Sequence, residues 1–239
     1  MARRASTKPK PTSTSEALPT REQEPRRFLL ELLAVTLGVL LALILEQVVN
    51  SWRAGQRVDD IKAAMNKEIS DYAEIFNLRV RIDPCIGSKL DALEAHVAGG
   101  RPGPVKGVGR PSYFFSGRNA FSSDATDQLT RHLGADTVQK YGEVYQGMAD
   151  FAAFSAEEQK IWVILQTLEG DKDPVGPDRR AHLREALVGA RNSRLLLNAI
   201  ATQMLDRSKE LGVERNRSLD KVKIAETPLC RPLAPASPA

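Results

Sequence analysis

The chain has 239 residues, of which 42% are hydrophobic, 5% are aromatic and two are cysteine, and its formal net charge is +4. This length supplies one or two domains with a modest core, and two cysteines exclude a disulfide-rich scaffold. Residues 1–27 carry seven basic and three acidic side chains, so the positive charge belongs to this segment and the remainder is neutral. A neutral body argues against a nucleic-acid-binding domain, and we expect no nucleic-acid partner.

The first 27 residues are polar and contain four Pro and seven Ser or Thr. They show no apolar periodicity and cannot bury enough apolar surface to offset the entropy of ordering. We therefore predict that residues 1–27 form a disordered basic tail.

Residues 28–49 are predicted to form a transmembrane helix. From Phe28 to Leu45 only Glu31 is charged, and 22 helical residues extend about 33 Å, enough to cross a hydrocarbon core of about 30 Å. Apolar residues surround the helix, which disfavours a helix lying on the membrane surface. A cleaved signal peptide and a buried core helix are the alternatives, but no small-x-small cleavage site follows the apolar run.

The orientation of this helix follows from the bias of Lys and Arg. Seven precede it, whereas only Arg53, Arg57 and Lys62 lie within about 20 residues after it. This asymmetry predicts a cytoplasmic N-terminus and, in a bacterium, an inner-membrane protein with its C-terminal domain in the periplasm.

Small residues recur every fourth position within the predicted span, at Ala34, Gly38 and Ala42. This spacing lines them along one helix face, where a second helix can approach closely. Besides the lipid bilayer, we therefore expect a second copy of the chain or another membrane protein as a partner, although Ala and Gly are common in any span.

The residues that follow show helical periodicity up to about residue 82. Apolar side chains advance by three or four residues, and Asp83-Pro84 predicts the end of this helix. A second, short helix is expected after Ser88, ending at Gly99-Gly100. The members of the stripe are Val58, Ile61, Met65, Ile69, Tyr72 and Phe76.

Three more helices are predicted in the second half of the chain. Ser122 or Ser123 caps the first, which ends before Gly134. The second begins after Asp136 and extends to about Glu169, with a bend or break near Ser155. The third covers about 178–211 and ends at Gly212.

The Gly- and Pro-rich segment 99–120 is predicted to be a loop, and it contains neither GxxxxGK[ST] nor GxGxxG. Its aromatic residues, Tyr113, Phe114 and Phe115, either hold the loop onto the helical core or form a contact patch for a partner. The C-terminal segment 213–239 is predicted to be extended or disordered. The fold class is all-α: one N-terminal transmembrane helix continues into an antiparallel bundle of three or four helices, which forms a helical extracytoplasmic domain over residues 50–212.

The sequence contains no arrangement typical of catalysis, metal binding or cofactor binding. His96, His132 and His182 are scattered, and no HExxH, GxSxG or CxxC string occurs. Adjacent carboxylates, such as Glu157 and Glu158, are interpreted as part of a solvated face or as helix caps. We therefore expect no enzyme activity, no catalytic residues, no metal and no cofactor.

Cys85 and Cys230 are candidates for a disulfide bond. Isolated cysteines tend to pair in an oxidising periplasm, and each of these lies beside a predicted helix end or a proline. Two unpaired small hydrophobic side chains are the alternative, which a cytoplasmic location would favour.

The chain resembles a class of uncharacterised bacterial single-pass membrane proteins in two stretches. The first is GVLLAL at 38–43, followed by Asn50-Ser51-Trp52 and a charged helix. The second is DATDQLTRHLGADTVQKYGEVYQ at 124–146, which resembles the second block of these proteins. These are domain-of-unknown-function proteins with an N-terminal anchor and a helical remainder. The resemblance implies a membrane location and a helical domain, and it implies no activity and no site residues. We expect an anchored helical interaction or scaffold protein, or alternatively a ligand-sensing extracytoplasmic bundle.

Overall fold

The computed structural model describes residues 24–99, 105–113, 115, 117–170 and 175–235. Within these ranges the chain forms four α-helices, α1 (Glu24–Ala98), α2 (Ser123–Leu133), α3 (Ala135–Gly170) and α4 (Pro177–Glu210). Two short 3-10 helices follow, Ser218–Lys221 and Ile224–Glu226. The all-helical class expected from the sequence is confirmed. Most of the predicted tail 1–27 lies outside the described residues.

The chain divides into two compact units, and the boundary falls within α1 between Ala54 and Gly55. In the first unit, residues 26–53 are all exposed. This is the one helix in the described part of the chain that is long and apolar enough to cross a membrane, and no part of its apolar window is buried.

In the second unit, α1 continues through Pro84 to Ala98, so the predicted helix end at Asp83-Pro84 and the separate helix after Ser88 are wrong. Proline removes one backbone donor and disfavours helical geometry in the residue before it. Tertiary contacts offset this cost: Ile82 and Ile86 are buried on either side, and the carboxylate of Asp83 accepts two hydrogen bonds from Arg194, at 2.9 and 2.7 Å.

The contacts of α1 with α3 join residues in the same order along both helices. Tyr145 of α3 donates a hydrogen bond of 2.6 Å to Glu68, and Glu158 pairs with Arg79 further along. Later residues of α3 thus contact later residues of α1, and the two helices run parallel.

Helix α4 runs in the opposite direction to both. Met204 contacts Gly147 near the beginning of α3, and Gly189 contacts Ile161 near its end. Against α1, Arg194 pairs with Asp83, and the earlier residue Arg191 pairs with the later residue Glu94 at 2.6 Å. The break that the sequence allowed near Ser155 does not occur, because α3 is continuous and Ser155 is buried within it.

The buried residues form two hydrophobic clusters, and the predicted stripe of α1 enters the first of them. Val58, Met65, Ile69, Tyr72 and Phe76 are all buried, and Ile61 packs against the same cluster. The second cluster is formed around Ile86, Leu90, Trp162, Leu165 and Leu187.

The ends of α2 agree with the sequence. Ser122 is its N-cap and accepts a hydrogen bond from the backbone N–H of Ala125. Gly134 follows the helix with a φ of 81°, a conformation that favours glycine. Helix α3 then begins at Ala135, so Asp136 lies in its first turn and does not precede it.

The segment after α4 contains the two 3-10 helices and a turn at 228–230, and it packs against α1. Its end forms a two-residue antiparallel pairing, β1 (Val105–Lys106) with β2 (Ala234–Pro235). We call residues 213–235 the C-terminal strap and residues 105–113 the inner loop.

Candidate functional site

The small residues of the predicted span lie exposed on α1. Ala34, Gly38 and Ala42 are each open to the surroundings, and a Cβ atom added at Gly38 would meet nothing within 4 Å. The described part of this chain therefore places no helix against this face, which is free to contact lipid or another chain.

Cys85 and Cys230 form a disulfide bond, with their Cα atoms 4.8 Å apart and a separation of 145 positions in sequence. Cys85 lies within α1 and Cys230 lies in the strap. The bond therefore ties the C-terminal strap to the side of α1.

The first half of the strap, residues 213–222, is held to α1 by polar contacts. The buried carboxylate of Glu74 accepts hydrogen bonds from the side chain of Arg215, at 2.5 Å, and from the backbone N–H of Leu219, at 2.7 Å. Arg81 donates to the carbonyl oxygens of Leu219 and Val222, at 3.2 and 3.4 Å. Later residues of the strap thus contact later residues of α1, and the strap runs along α1 in the same direction.

The second half of the strap, residues 223–235, is held by the disulfide, by Leu229 and by Lys89. Leu229 is buried in the second hydrophobic cluster. The ammonium group of Lys89 donates to the carbonyl oxygen of Arg231, at 2.5 Å, and to that of Gly107 in the inner loop. Burial lowers the pKa of Lys89, while the nearby charge of Glu169 opposes that shift. Lys89 thus joins α1, the strap and the inner loop.

The inner loop lies between the strap and α3. The backbone N–H of Val108 donates to the carboxylate of Glu169 at 2.6 Å, and the side chain of Gln159 donates to the carbonyl oxygen of Pro111. Gly109 has a φ of 61°, and a Cβ atom there would lie 2.8 Å from the backbone nitrogen of Leu229. Only glycine allows the strap to approach the loop this closely.

The inner loop ends on a buried ionic cluster. Arg79 donates to both carboxylate oxygens of Glu158, at 2.8 and 3.0 Å, and to the hydroxyl of Tyr113, at 2.9 Å. Both charged side chains are completely buried. A bidentate pair of this kind is stronger than a single neutral hydrogen bond.

The pKa values of this cluster follow from burial and from the ion pair. Burial raises the pKa of Tyr113 to about 12, although the adjacent charge of Arg79 opposes this shift. Burial also raises the pKa of Glu158, and the guanidinium of Arg79 opposes that shift. Burial lowers the pKa of Arg79, but Tyr113 and Glu158 more than offset this, so its pKa is raised and it stays a cation.

The aromatic residues of the loop confirm one of the two interpretations of that segment. Tyr113 and Phe115 contact the ring of Phe151, with centroid distances of 5.7 and 6.1 Å, and Phe115 stacks on Tyr72 at 5.9 Å. These rings hold the loop onto the helical core. Phe114 lies outside the described residues.

Three surface cavities surround the inner loop and the strap. One of about 490 Å³ is lined by the disulfide and by Lys89 and Arg231. Two others, of about 410 and 440 Å³, both border the loop, since Arg110 and Ser112 line each of them. The first is also lined by residues of α3 such as Ser155, and the second by residues of the strap such as Leu229.

Among the described residues, no group of three or more His, Cys, Asp or Glu side chains could hold a metal ion. His132 and His182 are exposed on separate helices, α2 and α4. The carboxylates of Asp171 and Asp173 lie outside the described residues.

Sequence reasoning missed the pair of Arg79 and Glu158, and the interpretation of Glu158 as part of a solvated face is wrong. Glu157 beside it is indeed exposed, whereas Glu158 is buried. A signal for both residues existed: Arg79 follows Phe76 by three positions, and Glu158 follows Phe151 by seven, so each charge lies on a buried helical stripe.

Comparison with protein-family models, with curated proteins and with solved structures found no match to this chain.

Proposed function

We propose that this chain is a single-pass protein of the bacterial inner membrane, with a helical bundle in the periplasm that acts as a non-catalytic interaction scaffold. Residues 28–49 are the anchor, residues 1–27 are a cytoplasmic tail, and residues 50–239 lie across the membrane. The proposal rests most directly on one arrangement: an exposed apolar helix precedes a domain whose C-terminal strap is tied to α1 by a disulfide.

The anchor is supported by the exposure of its apolar surface. Large hydrophobic side chains from Phe28 to Val49 are between 41% and 69% exposed, and together they surround the helix. A soluble monomer rarely leaves so large an apolar surface in water. Lipid is the partner that covers every side of a helix equally.

The orientation is supported by two independent observations. The excess of Lys and Arg before the span favours a cytoplasmic N-terminus. The disulfide between Cys85 and Cys230 favours an oxidising compartment for the domain that follows, because cytosolic thiols are kept reduced.

The scaffold role is supported by exposed apolar residues on α3 and α4. Phe154 is midway between Gly147 and Ile161 on α3, and Leu196 is about midway between Gly189 and Met204 on α4. Since these flanking residues are in contact across the two helices, Phe154 and Leu196 lie at the same level.

Phe154, Leu195 and Leu196 are 41%, 66% and 42% exposed. Apolar side chains grouped on a polar surface are typical of a protein contact site. The ionisable groups described above instead hold helices, loop and strap together, which favours a structural role for them over a catalytic one.

The topology is tested by fusing two reporters to residue 239, one active only in the periplasm and one fluorescent only in the cytoplasm. We expect activity of the periplasmic reporter alone. A matched control deletes residues 28–49, which should transfer the signal to the cytoplasmic reporter. Cytoplasmic fluorescence of the intact fusion would reject the proposed orientation.

The contact role is tested by cross-linking in living cells. Phe154→Ser with Leu196→Ser should leave the melting temperature nearly unchanged, because both side chains are exposed, and should remove cross-linked complexes. Val163→Ser is the control, because Val163 is 50% exposed but lies nine residues further along α3. Complexes that persist in the double variant would reject this surface.

Ligand sensing is the second candidate, favoured by the cavity of about 410 Å³ beside the inner loop. Ser155 lines this cavity, is 2% exposed, and its hydroxyl has no hydrogen-bond partner among the described residues. Arg110 and Gln159 supply further polar groups. Native mass spectrometry tests this role: a small-molecule adduct that disappears in Ser155→Leu would favour sensing, and the absence of any adduct would reject it.

A further inference from the structure

The disulfide between Cys85 and Cys230 acts on only one half of the strap. Residues 213–222 have their own contacts with Glu74 and Arg81, as described above. Residues 223–235 are held by the disulfide, by Lys89, by the pairing of β2 with β1, and by Leu229, Ile224 and Leu233, which contact the second hydrophobic cluster. Breaking the disulfide removes the one covalent tie among these contacts, and it leaves the contacts of the first half in place.

The second half of the strap in turn holds the inner loop. Leu229 lies directly over Gly109, and β2 pairs with β1 at the beginning of the loop. Lys89 donates to carbonyl oxygens of both segments at once. Movement of residues 223–235 therefore removes two contacts of the strap with the inner loop, that of Leu229 with Gly109 and that of β2 with β1. It also removes one of the two carbonyl oxygens that hold the ammonium group of Lys89 beside the loop.

The inner loop borders open space into which it can move. Two cavities, of about 410 and 440 Å³, share Arg110 and Ser112 of the loop as lining residues. Without the strap, the loop is held to α3 by the hydrogen bonds of Val108 with Glu169 and of Gln159 with Pro111. It is held to α1 by the hydrogen bonds of Arg79 with Tyr113 and of Lys89 with Gly107.

We propose that the disulfide is a redox latch, whose reduction releases residues 223–235 and loosens the inner loop over the buried pair of Arg79 and Glu158. This adds regulation to the domain and does not depend on the partner that the domain binds. The released segments uncover Val105, Val108 and Leu229, which are buried apolar residues in the closed form.

The reductant is a dithiol, either a small molecule or a protein of the Cys-x-x-Cys type. One of its thiolates attacks a sulfur of the disulfide and forms a mixed disulfide; its second thiolate then displaces the cysteine. Two electrons pass from the dithiol to the bond, two protons end on Cys85 and Cys230, and the dithiol becomes a disulfide.

The disulfide is open to such a reagent. It lines the cavity of about 490 Å³ together with Lys89 and Arg231. Lys89 is one helical turn after Cys85, and Arg231 directly follows Cys230. Cationic groups near a sulfur favour the departing thiolate.

Hydrogen exchange of the full chain in detergent, measured by mass spectrometry before and after dithiothreitol, tests the latch. We expect peptides covering 105–113 and 227–235 to exchange at least 10-fold faster after reduction. Peptides covering 213–222 and the middle of α3 and α4 should change less than twofold. An intact mass increase of two hydrogens confirms that reduction is complete.

The double variant Cys85→Ser with Cys230→Ser is the control. It should show the fast exchange of the reduced protein, with or without dithiothreitol. Unchanged exchange in 105–113 and 227–235 after complete reduction would overturn the proposal. Uniformly faster exchange across all helices would also overturn the proposal. In that case the disulfide would stabilise the whole domain, and its effect would not be confined to residues 223–235 and the inner loop.

Discussion

Replacing Arg79 with Met should be among the most damaging single changes in this protein. The substitution retains an unbranched side chain of similar length but leaves the carboxylate of Glu158 completely buried without its bidentate partner. Removing one partner of a buried ion pair costs about 3–5 kcal/mol. The free energy of unfolding of a domain is about 5–15 kcal/mol, so Arg79→Met should remove about a fifth of it or more.

Two further variants distinguish the loss of stability caused by an unpaired buried charge from the contribution of the ion pair itself. Arg79→Met combined with Glu158→Leu removes both charges and leaves no buried carboxylate, so it should lie within about 2 kcal/mol of the natural protein. Glu157→Gln is the matched surface control, because its partner Lys160 is 71% exposed. An exposed pair contributes about 0–1 kcal/mol, and this change should be nearly silent.

The assay is equilibrium unfolding of the full chain in mild detergent, followed by circular dichroism of the helices as urea is added. The midpoints should rank Glu157→Gln near the natural protein, the double variant below it, and Arg79→Met lowest. An Arg79→Met midpoint equal to that of Glu157→Gln would refute the reasoning. A double variant as unstable as Arg79→Met would do so as well.

Three other predictions follow from the same structure. The pKa of each of the four tyrosines is raised, chiefly by burial, so the folded-state values lie above the unfolded value of 10.0. The protonated phenols therefore contribute fully to the stability of the fold below pH 10. This contribution is lost as the pH rises through the folded-state pKa. Phenolate absorbance should therefore appear together with cooperative unfolding above pH 10, and simple titration of a folded protein at pH 10 would contradict this. Gly109→Ala should be about 1–3 kcal/mol more destabilising than Gly212→Ala in thermal unfolding. Both glycines have a positive φ, but only at Gly109 would an added Cβ atom clash with the backbone of Leu229. Equal melting temperatures of the two variants would exclude this clash. Gly38→Leu should weaken association of the anchor by about 1 kcal/mol in a membrane cross-linking assay, whereas Leu41→Ile should not, and an unchanged oligomer distribution would leave this face in contact with lipid.

Local signals in the sequence were sufficient for the helical class and for several element ends. The apolar stripe from Val58 to Phe76 is buried as its spacing predicts. Ser122 and Gly134 mark the ends of α2, since a serine cap and a glycine with positive φ act through the few residues around them. Such features depend on neighbours in sequence and can be predicted without the fold.

Features that depend on distant residues could not be predicted in this way. Pro84 is tolerated within α1 because Arg194, 110 positions later, holds the preceding Asp83. The path of the strap along α1 depends on Glu74 and Lys89, which in sequence look like ordinary surface charges of an amphipathic helix. Only the packing of the helices shows that these charges are covered.

Trapping of thiols in living cells is the most direct test of the central claim, that an anchored domain outside the cytoplasm is closed by the disulfide of Cys85 and Cys230. Cells producing the full chain are quenched in acid, and the protein is treated with a maleimide carrying a large polymer, with and without prior reduction. The account predicts an unshifted band without reduction and two added polymers after it. Two added polymers on all of the protein without reduction would show that both thiols are free in the cell. That result would contradict the closed strap, and it would remove the support that the disulfide gives to the proposed orientation.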